Sequence, residues 1–224
     1  MKPRIGMVTI GQAPRVDVVP EMADLIGPGV ELVERGALDG LEAGAIGALA
    51  PAGDDEILVT RLADGSAVFL GKPKVTPLVQ QRIDELEACG VAMTVLLCTG
   101  KFKGLEARQP LIQPDRVLQG VLNGVAFHGR LGVVTPSERH VAQTGARWRS
   151  FGFDPVVVAS SPYHGEDAIS RAIEAFRAGG VGFVLLDCMG FRREAREELS
   201  RALGVPVVVA NLLVARVVAE LAGG

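Results

Sequence analysis

Three stretches of this chain are apolar at almost every position: VAMTVLLC (Val91–Cys98), VGFVLLDC (Val181–Cys188) and VPVVVAN (Val205–Asn211). A strand wetted on one face alternates apolar and polar residues. A strand apolar throughout is buried on both faces, which calls for a parallel sheet covered by helices. The class is therefore α/β. Strands are expected at Ile5–Ile10, Val30–Leu38, Ile57–Leu62, Met93–Cys98, Gly132–Thr135, Pro155–Ser160, Phe183–Cys188 and Val205–Ala210. Ala67–Leu70 follows Asp64-Gly65 and reads as a hairpin partner for the strand before it.

Helix ends are legible between these strands. Thr76-Pro77 predicts an N-cap followed by a proline in the first turn, and Gly90 follows the last turn. Leu78, Val79, Ile83 and Leu86 then form one apolar stripe, with Cys89 read as core beside it. Thr135-Pro136-Ser137-Glu138 fits a capping box with Thr135 as the cap. Ala168, Ile169, Ala172, Ile173 and Phe176 are expected to face the core, and the last helix, Leu212–Leu221, to be buried on most sides. Gly100–Pro114 has no clear period and reads as a long loop directly after Cys98. The expected organisation is two lobes, residues 1–125 and 126–224, with the final helix either staying in the second or packing back on the first. TVLLCTGKF and FVLLDCMGF echo each other loosely, as two similar lobes would.

Composition excludes several functions. The net charge is −3 and aromatics make up 4%, with no basic stripe, so nucleic acid is not an expected partner. Arg192, Arg193, Arg196 and Arg201 are interleaved with Glu194, Glu197 and Glu198 and read as a solvated helix face. No apolar run reaches the roughly 18–20 residues of a membrane helix, and MKPRIGMVTIGQAPR reads as a first strand, so no membrane partner is expected. Three cysteines without CxxC spacing argue against a disulfide scaffold and a zinc site, and a reducing cytoplasm is the default. His128 reads as a surface residue, His140 as lying near the mouth of the site and His164 as a loop residue, with no metal-ligand spacing among them. A serine-hydrolase elbow, a P-loop and a G-x-G-x-x-G turn are all missing, and no cofactor is expected.

The candidate chemistry lies at the carboxyl ends of the strands, where parallel α/β sheets bind ligands. Cys98 and Cys188 each end an apolar strand in a similar strand-to-helix setting. A helix N-terminus there lowers a thiol's pKa. Two thiols can then remove a proton from one face of a carbon acid and return one to the other. The plain alternative is that both are buried and inert. Thr9, Gly11, Gln12, Arg15, Thr99, Gly100, Thr135, Pro136, Ser137, Asp187, Met189 and Gly190 are the candidate ligand-binding residues around them. For Arg15 the alternative is a surface charge, and for Asp187 a helix cap.

VTIGQAPR, LLCTGKF, LLDCMGF and NLLVARVVAEL, in that order over nearly the whole chain, resemble the AroM family. That resemblance implies the wider aspartate/glutamate/hydantoin racemase fold: two doubly wound parallel-sheet lobes with the active site in the cleft between them. It implies that the paired cysteines of that superfamily carry over to Cys98 and Cys188. GVVTPSERHVAQTGARWRSFGFDPV is similar to the second-lobe entry of maleate isomerases and arylmalonate decarboxylases. Racemases of this group follow the first cysteine with Asn-Thr and the second with Thr. Here Thr99 and Met189 stand instead, which removes one side-chain donor to a substrate carboxylate. Three readings stay open: a two-cysteine racemase or isomerase of a small carboxylate, a one-cysteine decarboxylase or cis–trans isomerase, and a non-catalytic small-molecule-binding protein. The apolar final helix makes a homodimer an expectation as well.

Overall fold

β1 (Arg4–Thr9) is the strand around which the first half of the chain is built, with Ile5, Met7 and Val8 fully buried. The computed structural model describes residues 2–163 and 168–223, and for residue 168 the backbone alone. After β1 come α1 (Val19–Ile26), β2 (Glu31–Gly36), α2 (Ala43–Ala48), β3 (Ile57–Arg61), β4 (Ala67–Gly71), α3 (Lys72–Ala88), β5 (Met93–Leu96), β6 (Leu111–Ile112) and α4 (Pro114–Asn123). The second half holds β7 (Arg130–Thr135), α5 (Glu138–Ser150), β8 (Pro155–Ala159), α6 (Ala168–Ala178), β9 (Val181–Leu186), α7 (Arg193–Leu203), β10 (Val207–Val209) and α8 (Ala210–Leu221). The chain divides into two units, residues 1–117 with 214–224, and residues 118–213.

In the first unit the parallel sheet has the order β2-β1-β5-β6. Val75, Val79, Ile83 and Leu86 of α3 are fully buried, and the helix packs on β1, β2 and β5. Gly6 admits that helix, because a Cβ there would lie 2.9 Å from Leu86 Cδ1. β3 and β4 form the expected antiparallel hairpin, turning at Gly65 (φ +87°), and bring Leu58 and Leu70 into the same core.

The second unit repeats this winding. Its parallel sheet has the order β10-β9-β7-β8. In each unit the first strand adds its second on one side and its third and fourth on the other, so the winding reverses beside the first strand. Local hydrogen bonds repeat as well. Leu97 N–H donates to the Val8 carbonyl (2.7 Å) as Asp187 N–H does to Val134 (2.9 Å). Ala37 N–H donates to Thr9 (2.9 Å) as Ser160 N–H does to Thr135 (2.8 Å). Thr9 and Thr135 are thus equivalent positions, and so are Cys98 and Cys188. The loose echo in the sequence is a repeat of winding.

Several expectations change. α3 begins at Lys72, not at Thr76. Pro73 occupies its first turn, where a missing N–H is harmless, Thr76 Oγ1 donates back to the Lys72 carbonyl (2.7 Å), and Pro77 lies inside the helix. Thr135 remains in β7, and Ser137 is the N-cap residue of α5. Cys89 is exposed rather than core, because the buried stripe ends at Leu86 and Cys89 is the C-cap before Gly90 (φ +77°) turns the chain. The long loop contains β6, whose two residues pair with Thr94 and Val95. In α6, Ala172 and Phe176 are buried while Ile169 and Ile173 are half-buried. The arginines around α7 are exposed, and Leu199 is the helix's buried residue. α8 buries Ala210, Leu212, Val214, Ala215 and Val218. Among the described residues no helix is long and apolar enough to cross a membrane.

Candidate functional site at the strand ends

In the first unit, Thr9 closes β1 and its Oγ1 accepts the Gly11 N–H (3.2 Å). Gly11 is required by close approach: a Cβ there would lie 2.3 Å from Thr60 Oγ1 and 2.5 Å from the Arg61 carbonyl oxygen. Gln12 Oε1 accepts from Ala63 N–H (2.8 Å), which ties the loop to the β3–β4 turn. Asp39 accepts from Ala13 N–H (2.8 Å) and Gly36 N–H (2.7 Å), joining the loops after β1 and β2. Arg15 is 4% exposed, so it is not a surface charge. It donates through Nε and Nη2 to the two carboxylate oxygens of Asp17 (2.8 and 2.9 Å) and through Nη1 to Thr9 Oγ1 (3.0 Å). Burial alone would raise the Asp17 carboxyl, but the hydrogen bond and charge of Arg15, with Asp17's own backbone N–H and the charge of Arg61, hold the group below its ordinary value.

Cys98 lies just beyond β5, half-buried against the first unit's core. No helix follows it directly: the next, α4, begins at Pro114. The Gly100 N–H supplies the local dipole instead, donating to Cys98 Sγ at 3.4 Å. Thr99 and Gly100 are half-buried. Gln113, which sequence reasoning missed, follows β6 with its side chain buried and its Oε1 without a hydrogen-bond partner among the described residues. The Gln-Pro step ahead of an amphipathic run was the available signal, hidden by the aperiodic loop before it.

In the second unit, Asp187, Cys188, Met189 and Gly190 follow β9 and all are buried. The Asp187 carboxylate is turned to α5. It accepts from Trp148 Nε1 (2.9 Å) and from the Arg147 guanidinium, so it is not the cap of α7. The Tyr163 ring would press on any Cβ at Gly190, at 3.0 Å. α7 begins at Arg193, several residues after Cys188. Thr135 Oγ1 is hydrogen-bonded to Thr144 Oγ1 (3.0 Å), Pro136 is buried, and Ser137 Oγ is hydrogen-bonded to His140 Nδ1 (2.7 Å) with the ring buried. His128 is exposed, as expected, and His164 lies outside the described residues. Among the described residues no three His, Cys, Asp or Glu side chains are grouped to hold a metal ion.

A family model described as AroM protein matches residues 5–222. The chain belongs to the AroM family. No curated protein is similar enough to this AroM-family chain to count as a relative. Solved structures are similar in fold. Allantoin racemase from Klebsiella pneumoniae is 18% identical, with 99% of this chain and 88% of that one covered, at a TM-score of 0.64. An arylmalonate decarboxylase is 19% identical, with 99% and 93% covered, also at 0.64. A maleate cis–trans isomerase from Nocardia farcinica, a Cys-to-Ser mutant with a covalently bound succinylcysteine intermediate, is 15% identical, with 95% and 89% covered, at 0.61. At these identities they establish the racemase-like α/β fold of the AroM chain and nothing of its substrate.

Proposed function

We propose that this AroM-family chain is a cofactor-independent racemase or isomerase of a small carboxylate, with Cys98 and Cys188 as its two proton carriers. The observation that carries this reading is their equivalence. Each follows the third strand of its unit, at the same register, beside the strand where the winding reverses. That is where open α/β sheets take ligands. One thiolate removes the proton from the carbon next to the carboxylate and becomes a thiol. The electron pair passes into the carboxylate as an enediolate. The other thiol gives its proton to the opposite face and becomes the thiolate, so the two cysteines exchange states with each turnover. The names of the similar structures support carboxylate and carbon-acid chemistry on this fold.

A one-cysteine reading is favoured by a separate observation. Cys98 is half-buried and Cys188 buried, and the similar isomerase carries a covalent succinylcysteine, the product of attack by a single thiolate. Solvent deuterium separates the two. Incorporation at the α-carbon of a small carboxylate, lost in both Cys98→Ser and Cys188→Ser, is the expected result. Incorporation that survives either substitution selects the one-cysteine chemistry. Binding without exchange across the carboxylates tried overturns both and leaves a non-catalytic binding protein.

A further inference from the structure

Thr9 Oγ1 accepts two hydrogen bonds, from Gly11 N–H at 3.2 Å and from Arg15 Nη1 at 3.0 Å. A hydroxyl has two acceptor lone pairs and one donor hydrogen. With both lone pairs engaged, the oxygen has no capacity left to accept, and its own hydrogen is confined to the remaining tetrahedral direction. No acceptor for that hydrogen stands among the described residues, although Thr9 is only 1% exposed. Thr135, at the equivalent place in the second unit, differs, since its hydroxyl is matched by that of Thr144. Arg15 supplies one of the two donors that fix Thr9. Arg15 also donates through Nε and Nη2 to the two carboxylate oxygens of Asp17. The guanidinium is therefore held in one plane by a carboxylate of the same loop, and its charge is balanced there.

We propose that Arg15 and Asp17 form a positioning pair that commits the Thr9 hydroxyl to donate its hydrogen to a carboxylate oxygen of a ligand bound at the carboxyl end of β1. This rests on the ligand class of the function proposed above, and it gives Arg15 a role one step removed from the ligand. The donor is then preorganised: the ligand meets an oriented O–H without reorganising the loop. A hydrogen bond to a charged acceptor is the stronger kind, so its loss is expected to be measurable as affinity.

Calorimetric titration with malonate, maleate and L-aspartate tests the idea on wild type, Thr9→Val, Thr9→Ser and Arg15→Lys, with folding checked by near-ultraviolet circular dichroism. Wild type is expected to bind at least one of the three. Thr9→Val weakens that binding about ten- to a hundredfold, while Thr9→Ser, which keeps the hydroxyl, restores it to within roughly threefold of wild type. Arg15→Lys leaves Thr9 in place but cannot span Asp17 and Thr9 in one plane, and it weakens binding as Thr9→Val does. This variant carries the test if Thr9→Val does not fold. Wild-type affinity in either variant, a Thr9→Ser as weak as Thr9→Val, or no binding of any probe by wild type overturns the proposal. Binding is read without turnover, so the titrations stand whether or not the cysteine variants still exchange deuterium.

Discussion

Arg15 and Asp17 sit two residues apart, and both side chains are almost wholly buried. A buried pair of this kind is costly to break from one side, because the partner is left as an uncompensated charge. Asp17→Ala is therefore expected to lower stability by about 3 kcal/mol at neutral pH. The dependence on pH has a definite sign. The folded-state carboxyl of Asp17 is held below its ordinary value of 3.8. Its stabilisation is fully present above the unfolded value and is lost as pH falls through the lowered folded one. Urea unfolding of wild type and Asp17→Ala should thus show a wide gap at pH 7 that closes as the solution is acidified below pH 3.8. A gap that stays constant into acid would mean that the charge of Asp17 contributes nothing.

At the scale of elements, the loops after β1 and β2 at the carboxyl edge of the first sheet are held at contact distance. Gly11 shows how little slack there is, with Thr60 Oγ1 and the Arg61 carbonyl already where a Cβ would stand. One of those neighbours is backbone, which cannot rotate aside. Gly11→Ala is expected to cost about 2 kcal/mol and to displace Thr9 and Gln12 along with the loop. Thermal unfolding together with carboxylate titration checks both parts, and an unchanged affinity would show that the loop gives way harmlessly. β5 and β9 were legible because burial on both faces leaves an uninterrupted apolar run. Helix ends were less so: Thr76 and Thr135 look like caps, yet Pro73 opens α3 earlier and Thr135 remains in its strand. Cys89 lies three residues beyond the buried Leu86, in step with the helical stripe, but the helix ends first. The Asp187 contacts with Arg147 and Trp148 span two elements and leave no mark in local spacing, and the Gln113-Pro114 step lay hidden behind an aperiodic loop. Both cysteines could be placed at strand ends from the sequence. The surroundings of their sulfurs could not.

Across the whole molecule, two units wind alike, and one of them is discontinuous in sequence: residues 214–224 belong with 1–117. Val214, Ala215 and Val218 are fully buried in that closing segment. A chain ending at Leu213 therefore exposes apolar surface in the first unit and leaves the second intact. Hydrogen exchange should then rise in β1 and β5 while β7 and β9 stay protected. Uniform loss of protection in all four strands would show instead that the two units unfold as one.

The same discontinuity sets an order of events during synthesis. Residues 118–213 form an unbroken stretch, whereas the earlier stretch must wait for residues 214–224 to arrive. At about 5–20 residues per second the wait lasts several seconds. Throughout that interval the first half is unfinished, and it is the first half that offers its bare apolar face to a chaperone.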